Sequence, residues 1–123
     1  MKIGVPIVKV QEDYYVNPHF GRSRFFAIVE SMKDGYSIKE VVENPNASHE
    51  HGRGDAVVSI LHQKGVEAVI VAGLGHGAFA KLRTLGMKIY EVPRVGEGLV
   101  RLKDALEMFS KGALREAEGP VEH

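Results

Sequence analysis

Residues 66–92, VEAVIVAGLGHGAFAKLRTLGMKIYEV, decide the fold. Val66–Ala72 is almost continuously apolar, which predicts a strand covered on both faces rather than one. GLGHG (73–77) is a tight turn. AFAKLRTL then reads as a short helix that stops at Gly86, and MKIYEV reads as another strand. A strand, a helix and a second strand in this order predict a parallel pair joined by a right-handed crossover.

The same logic extends outward. Ala56, Val57, Ile60 and Leu61 share one face of a helix over about 55–64, which Gly65 ends. Val100, Leu102, Leu106, Met108 and Phe109 mark a last helix over about 98–110. Before residue 45 the period shortens. Ile3, Val5, Ile7 and Val10 sit near period two and predict a strand over 2–10. RFFAIVE (24–30) and YSIKEVVEN (36–44) flank Asp34-Gly35, a dipeptide typical of hairpins. QEDYYVNPHFGRS (11–23) and PNASHEHGRG (45–54) carry proline and glycine and read as loops. The expected order is βββαβαβα: an α/β domain with a mixed five-stranded sheet and helices on its faces. That order is the one found in ribonuclease H-like folds. The domain is expected to span 1–110, with 111–123 a C-terminal tail that frays.

With 123 residues, 44% of them hydrophobic and 26% charged, the chain fits one globular domain with a real core. It has no cysteine, which excludes disulfides, thiol nucleophiles, Cys-based zinc sites and clusters held by protein thiolates. Sixteen basic residues balance sixteen acidic ones, so no global field draws nucleic acid or a membrane surface. No run approaches the roughly 20 apolar residues of a membrane span, and the N-terminus lacks a signal-peptide core. A cytoplasmic monomer is expected.

Hydrolytic chemistry finds little support. A two-metal nuclease needs carboxylates converging at the sheet centre. The first strand has none, and the strand 66–72 has only Glu67, at its start. No nucleophile elbow or phosphate-binding P-loop occurs either.

Four of the six histidines, His19, His49, His51 and His76, lie in connections, near glycines. His49 and His51 form an H-x-H pair; in extended backbone both side chains face one side, and neutral imidazole binds zinc, iron, copper or nickel. Two solvated loop histidines are the plain alternative. His76 sits between Gly75 and Gly77, where backbone N–H groups at a helix start form an anion site. Gly73-x-Gly75-x-x-Ala78 with Glu91 also fits a dinucleotide fingerprint, although a ligand-free tight turn explains it as well. His19 precedes Phe20, an anchor for its loop, and Gly21, which permits unusual backbone angles. His62 reads as a boundary residue of its helix and His123 as part of the tail. Tyr14 and Tyr15 alternate faces, and packing is the simplest account of both.

Three segments together carry a family resemblance: His19-Phe20-Gly21-Arg22-Ser23 with Phe25-Phe26, Glu43-Asn44-Pro45 leading to His49-Glu50-His51-Gly52, and Gly73-Leu74-Gly75-His76-Gly77-Ala78-Phe79 followed by Leu82, Gly86 and Lys88-Ile89-Tyr90. Over about residues 1–110 the sequence resembles the dinitrogenase iron–molybdenum cofactor-binding family. The resemblance implies a non-catalytic protein that binds or carries iron–molybdenum cofactor, a precursor or a related iron–sulfur cluster, and meets a cofactor-assembly protein. It puts His19 first among contacts with the cluster. The implied binding set is His19, Phe20, Gly21, Arg22, His49, His51, Gly75 and His76, with His19, His49 and His51 as metal ligands. Arg22, Arg24 and Arg53 stand beside these loops and are expected to offset an anionic cargo. The competing readings are a nucleotide or phosphate binder built on Gly73–Gly77, and a regulatory interaction domain without cofactor.

Overall fold

The computed structural model describes residues 1–48, 53–93 and 98–121. Among them are seven strands and three helices: β1 (Lys2–Val10), β2 (Asp13–Val16), β3 (Phe25–Met32), β4 (Gly35–Glu43), α1 (Arg53–Gln63), β5 (Ala68–Val71), α2 (His76–Thr84), β6 (Lys88–Glu91), α3 (Leu102–Ser110) and β7 (Arg115–Glu116). The sheet runs β4-β3-β1-β5-β6-β7, and β2 pairs with β1. The expected antiparallel start is present: β3 pairs antiparallel with β1 and with β4, and Met32 faces Gly35 across Lys33-Asp34. The expected parallel half is present too, with β5 parallel to both β1 and β6.

Seven strands replace the expected five, for two reasons. β2 lies inside the stretch expected to be a loop, because Gln11-Glu12 makes a hairpin without turn-forming residues. Val10 pairs with Asp13, and Gln11 takes a left-handed φ of 57°. β7 lies in the segment expected to fray. It pairs antiparallel with β6 and is flanked by buried Leu114 and Ala117. Its two residues carry no periodicity, so only the partner strand defines it.

Strand alternation sends side chains into two cores. Ile3, Val5 and Ile7 of β1, with Ala27 and Val29 of β3, meet Leu102, Ala105 and Leu106 of α3 on one face. Phe26 and Ile28, with Val69 and Val71, meet Val57, Val58 and Leu61 of α1 and Leu82 of α2 on the other. β5 is buried along its whole length, as its apolar sequence requires. Each fully buried large aliphatic or aromatic side chain contributes roughly 1.5–3 kcal/mol. α1 and α2 end alike: Gly65 (φ 84°) and Gly86 (φ 73°) turn the chain, and the following Val66 and Met87 donate back to Leu61 O and Leu82 O.

Candidate functional site

Register places the loops. Ile7 pairs with Phe25, Phe25 with Glu43, Gly4 with Val69 and Val71 with Glu91. The start of β3 and the ends of β4, β5 and β6 therefore lie at one end of the sheet, the carboxyl end of its parallel strands. The connections 17–24, 44–48, 72–75 and 92–93 all leave from there. In open α/β sheets this is the end at which ligands gather.

The 17–24 connection carries His19. Its backbone N–H donates to Asn17 Oδ1 at 2.9 Å, and its side chain is exposed. Phe20 is 2% exposed and meets Phe26 edge-on, with ring centroids 5.0 Å apart. It thus holds the loop from beneath. Ser23, fully buried, donates from Oγ to Phe25 O at 2.8 Å. Arg22 is exposed on the same loop. Arg24 pairs with Glu43 at 3.4 Å and lies over the Phe25 ring.

Asn44 joins this loop to the next. Its side chain is 3% exposed, and Nδ2 donates to Gly21 O at 3.0 Å and to Ser23 O at 3.3 Å. Its Oδ1 accepts from Asn46 N at 3.1 Å, and its own N–H donates to Arg24 O at 2.8 Å. The position of Asn44 before Pro45 marks a turn, but nothing local in the sequence reveals that its side chain clamps two loops. His49 and His51 lie outside the described residues, as does His123, and for Arg53 only the backbone is described. The flanking segments, 44–48 and the first turn of α1, leave from the same end of the sheet.

The glycine turn forms the third side. Gly75 is the N-cap of α2 (φ −77°, ψ 173°), no side chain caps the helix, and His76, its first residue, is exposed. Gly54 of α1 lies so close to α2 that a Cβ there would stand 2.8 Å from Ala78 Cβ. That approach brings the first turns of α1 and α2 together. Gly75 and Gly77 differ: neither has a positive φ, and among the described residues a Cβ on either would meet nothing within 4 Å. Among the described residues, neither backbone strain nor internal packing calls for glycine there.

Other histidines and tyrosines fall elsewhere. His62 is exposed in the last turn of α1. Tyr14 lines a cleft of about 210 Å³ with Tyr36, Ile38, Leu102 and Leu106 on the α3 face. Tyr15 pairs with Arg101, and its hydroxyl together with Asp13 holds the Arg101 guanidinium above its usual pKa. Among the described residues, no group of three His, Asp or Glu side chains is placed to hold a metal ion. No helix there is long and apolar enough to cross a membrane.

The chain is similar to the orange protein of Desulfovibrio gigas, solved in its apo form: 27% identity and a TM-score of 0.80, over 98% of this chain and 96% of that one. It is also similar to a Thermotoga protein described as NifB-like and of the DUF35 family, with 32% identity and a TM-score of 0.72, over 96% of this chain and 98% of that one. An uncharacterized protein of Methanocaldococcus jannaschii is 30% identical over 118 residues, 96% of this chain and 92% of its own length. The family model described as dinitrogenase iron–molybdenum cofactor matches residues 1–112, almost all of the chain. The chain belongs to the dinitrogenase iron–molybdenum cofactor family.

Proposed function

We propose that this protein is a non-catalytic carrier. It binds an iron–sulfur-type metallocluster, such as iron–molybdenum cofactor or a precursor, and releases it again. Its cargo sits at the carboxyl end of the parallel strands, with His19 as main ligand and His49, His51 and His76 as auxiliaries. We read the sheet as ribonuclease H-like, on the order β4-β3-β1-β5-β6 of its main strands.

The observation that carries this reading is the pair Gly75 and Gly77. Among the described residues their Cβ positions are open and their backbone angles ordinary, which leaves room for a group from outside the chain to come close to the backbone. The N–H groups of the first turn of α2 suit an anionic cargo. The chain has no cysteine, so the cargo brings its own sulfide and the protein adds imidazole and amide donors. Family membership, and a similar protein solved in an apo form, support a bound partner of this class. Few protein ligands on loops favour release, which suits delivery to a cofactor-assembly protein in the cytoplasm.

A dinucleotide at the same turn is the second reading. The Leu74 N–H donates to Val121 O at 2.8 Å, so one amide in the centre of the fingerprint is already engaged. The turn also follows a late strand of the sheet rather than opening the fold, and one parallel strand comes after it, which favours the cluster over the dinucleotide.

Anaerobic titration with an iron–sulfur cluster, beside NAD and ATP controls, tests the reading. Wild type should load, read by visible absorption and iron content. His19→Ala and the His49→Ala/His51→Ala pair should weaken loading about ten- to a hundredfold, and His62→Ala should not. Ligation needs neutral imidazole, so loading should fall as the solution is acidified. Equal loading of all four proteins, or none by wild type, would remove the histidine mechanism.

A further inference from the structure

The C-terminal segment reaches the candidate site from the far edge of the sheet. β7 pairs with β6, and Ala117 next donates to Ile89 O at 2.8 Å and is buried in the α1–α2 core. Val121 then forms a two-way bridge to Leu74. It donates to Leu74 O at 2.9 Å and accepts from Leu74 N at 2.8 Å, while its side chain packs against the core that holds Leu74.

Leu74 stands between Gly73 and Gly75, two residues before His76. This turn is intrinsically loose. It holds three glycines in five residues, each with a large backbone entropy to lose, and the helix that follows has no side-chain cap. Within the turn only the buried Leu74 side chain is anchored, and a side chain alone leaves the glycines on either side free to rotate. The Val121 bridge adds the backbone restraint, because it fixes both backbone groups of the central residue.

We propose that residues 117–121 are a positioning strap for the glycine turn. They set the direction in which His76 and the first-turn N–H groups of α2 point, and through that the affinity for cargo. The second half of this inference rests on the reading of the turn as the cargo face; the first half does not. The strap acts on the backbone, so the residue that matters is Val121 as a donor and acceptor more than as an apolar side chain.

Val121→Pro removes the N–H that donates to Leu74 O. Val121→Ala keeps both backbone bonds and trims only the side chain. Amide hydrogen exchange reads the turn directly, with or without cargo. In Val121→Pro the Leu74 amide, which donates to Val121 O, should exchange about five- to tenfold faster than in wild type, while Val69–Val71 in the sheet centre are unchanged. Val121→Ala should stay near wild type at all four positions. The strap is refuted if Leu74 is unaffected by the proline, if Val69–Val71 accelerate equally, or if Val121→Ala matches Val121→Pro. In the anaerobic titration, Val121→Pro should load several-fold more weakly than wild type; equal loading of the two would refute control of the cargo. Failure of wild type to load would overturn the cargo reading instead, and the exchange data would still decide the strap.

Discussion

Replacing Asn44 should separate the loop of His19 from the loop that follows β4. The side chain makes three hydrogen bonds from a 3% exposed position: two donated, to Gly21 O and Ser23 O, and one accepted from Asn46 N. Each is worth roughly 0.5–1.5 kcal/mol net, and stranding a buried carbonyl adds a further penalty of about 1 kcal/mol or more. The 3.3 Å bond to Ser23 is the weakest of the three. Asn44→Ala should therefore cost about 3 kcal/mol. For a domain of this size that is a fall in Tm of about 10–15 °C. Asn44→Asp separates shape from chemistry: it keeps the acceptor for Asn46 but turns carboxylate oxygens toward two carbonyls. Its carboxyl pKa should be raised in the folded state, so its cost is present at neutral pH and relieved as pH falls and the group protonates. Denaturant unfolding followed by far-UV circular dichroism gives the stabilities. Amide exchange across Gly21–Phe25 shows whether the loss begins in this loop. If Asn44→Ala stays within about 0.5 kcal/mol of wild type, the clamp is not what joins the two loops.

Four further outcomes follow from particular contacts. Gly77→Ala should leave the fold intact and raise stability by about 0.5–1 kcal/mol, since it lies in α2 with open space over its Cβ, yet it should weaken cluster loading; unchanged loading would contradict a close backbone approach there. Gly54→Ala should lose about 1–2 kcal/mol, because overpacking against Ala78 costs more than helix propensity returns, and adding Ala78→Gly should restore part of the loss. Gln11→Gly should stabilise by several tenths of a kcal/mol or more by relieving the left-handed φ of the β1–β2 hairpin, measurable as a higher denaturant midpoint. The Met1 amino group donates to Glu30 and holds its carboxyl below the usual 4.5, so this pair stabilises the fold above that pH, and the contribution disappears as pH falls through the lowered value; a Glu30 carboxyl titrating with ordinary exposed glutamates by NMR would count against it.

The sequence by itself determined what is local. The apolar run of β5, the glycine that ends α1 and the Asp34-Gly35 hairpin are each written within a few residues, because periodicity and turn chemistry act at that range. From their order follow the antiparallel start, the parallel continuation and the placing of His19 in a connection and His76 at a helix start, neither in a strand. Three features were decided only by tertiary structure. β2 depends on a hairpin through Gln11, where cross-strand pairing outweighs an unfavourable local conformation. β7 and the Val121 bridge pair with residues far off in sequence, and two or three residues carry no period from which to read a strand. The role of Asn44 arises because burial makes its hydrogen bonds costly to lose, and burial is a property of the packed chain. Local rules placed His19 in a loop and His76 at the turn into α2; the close approach of Gly54 to Ala78, the Asn44 clamp and the Val121 bridge came from contacts between segments that meet only when the sheet closes around its two cores.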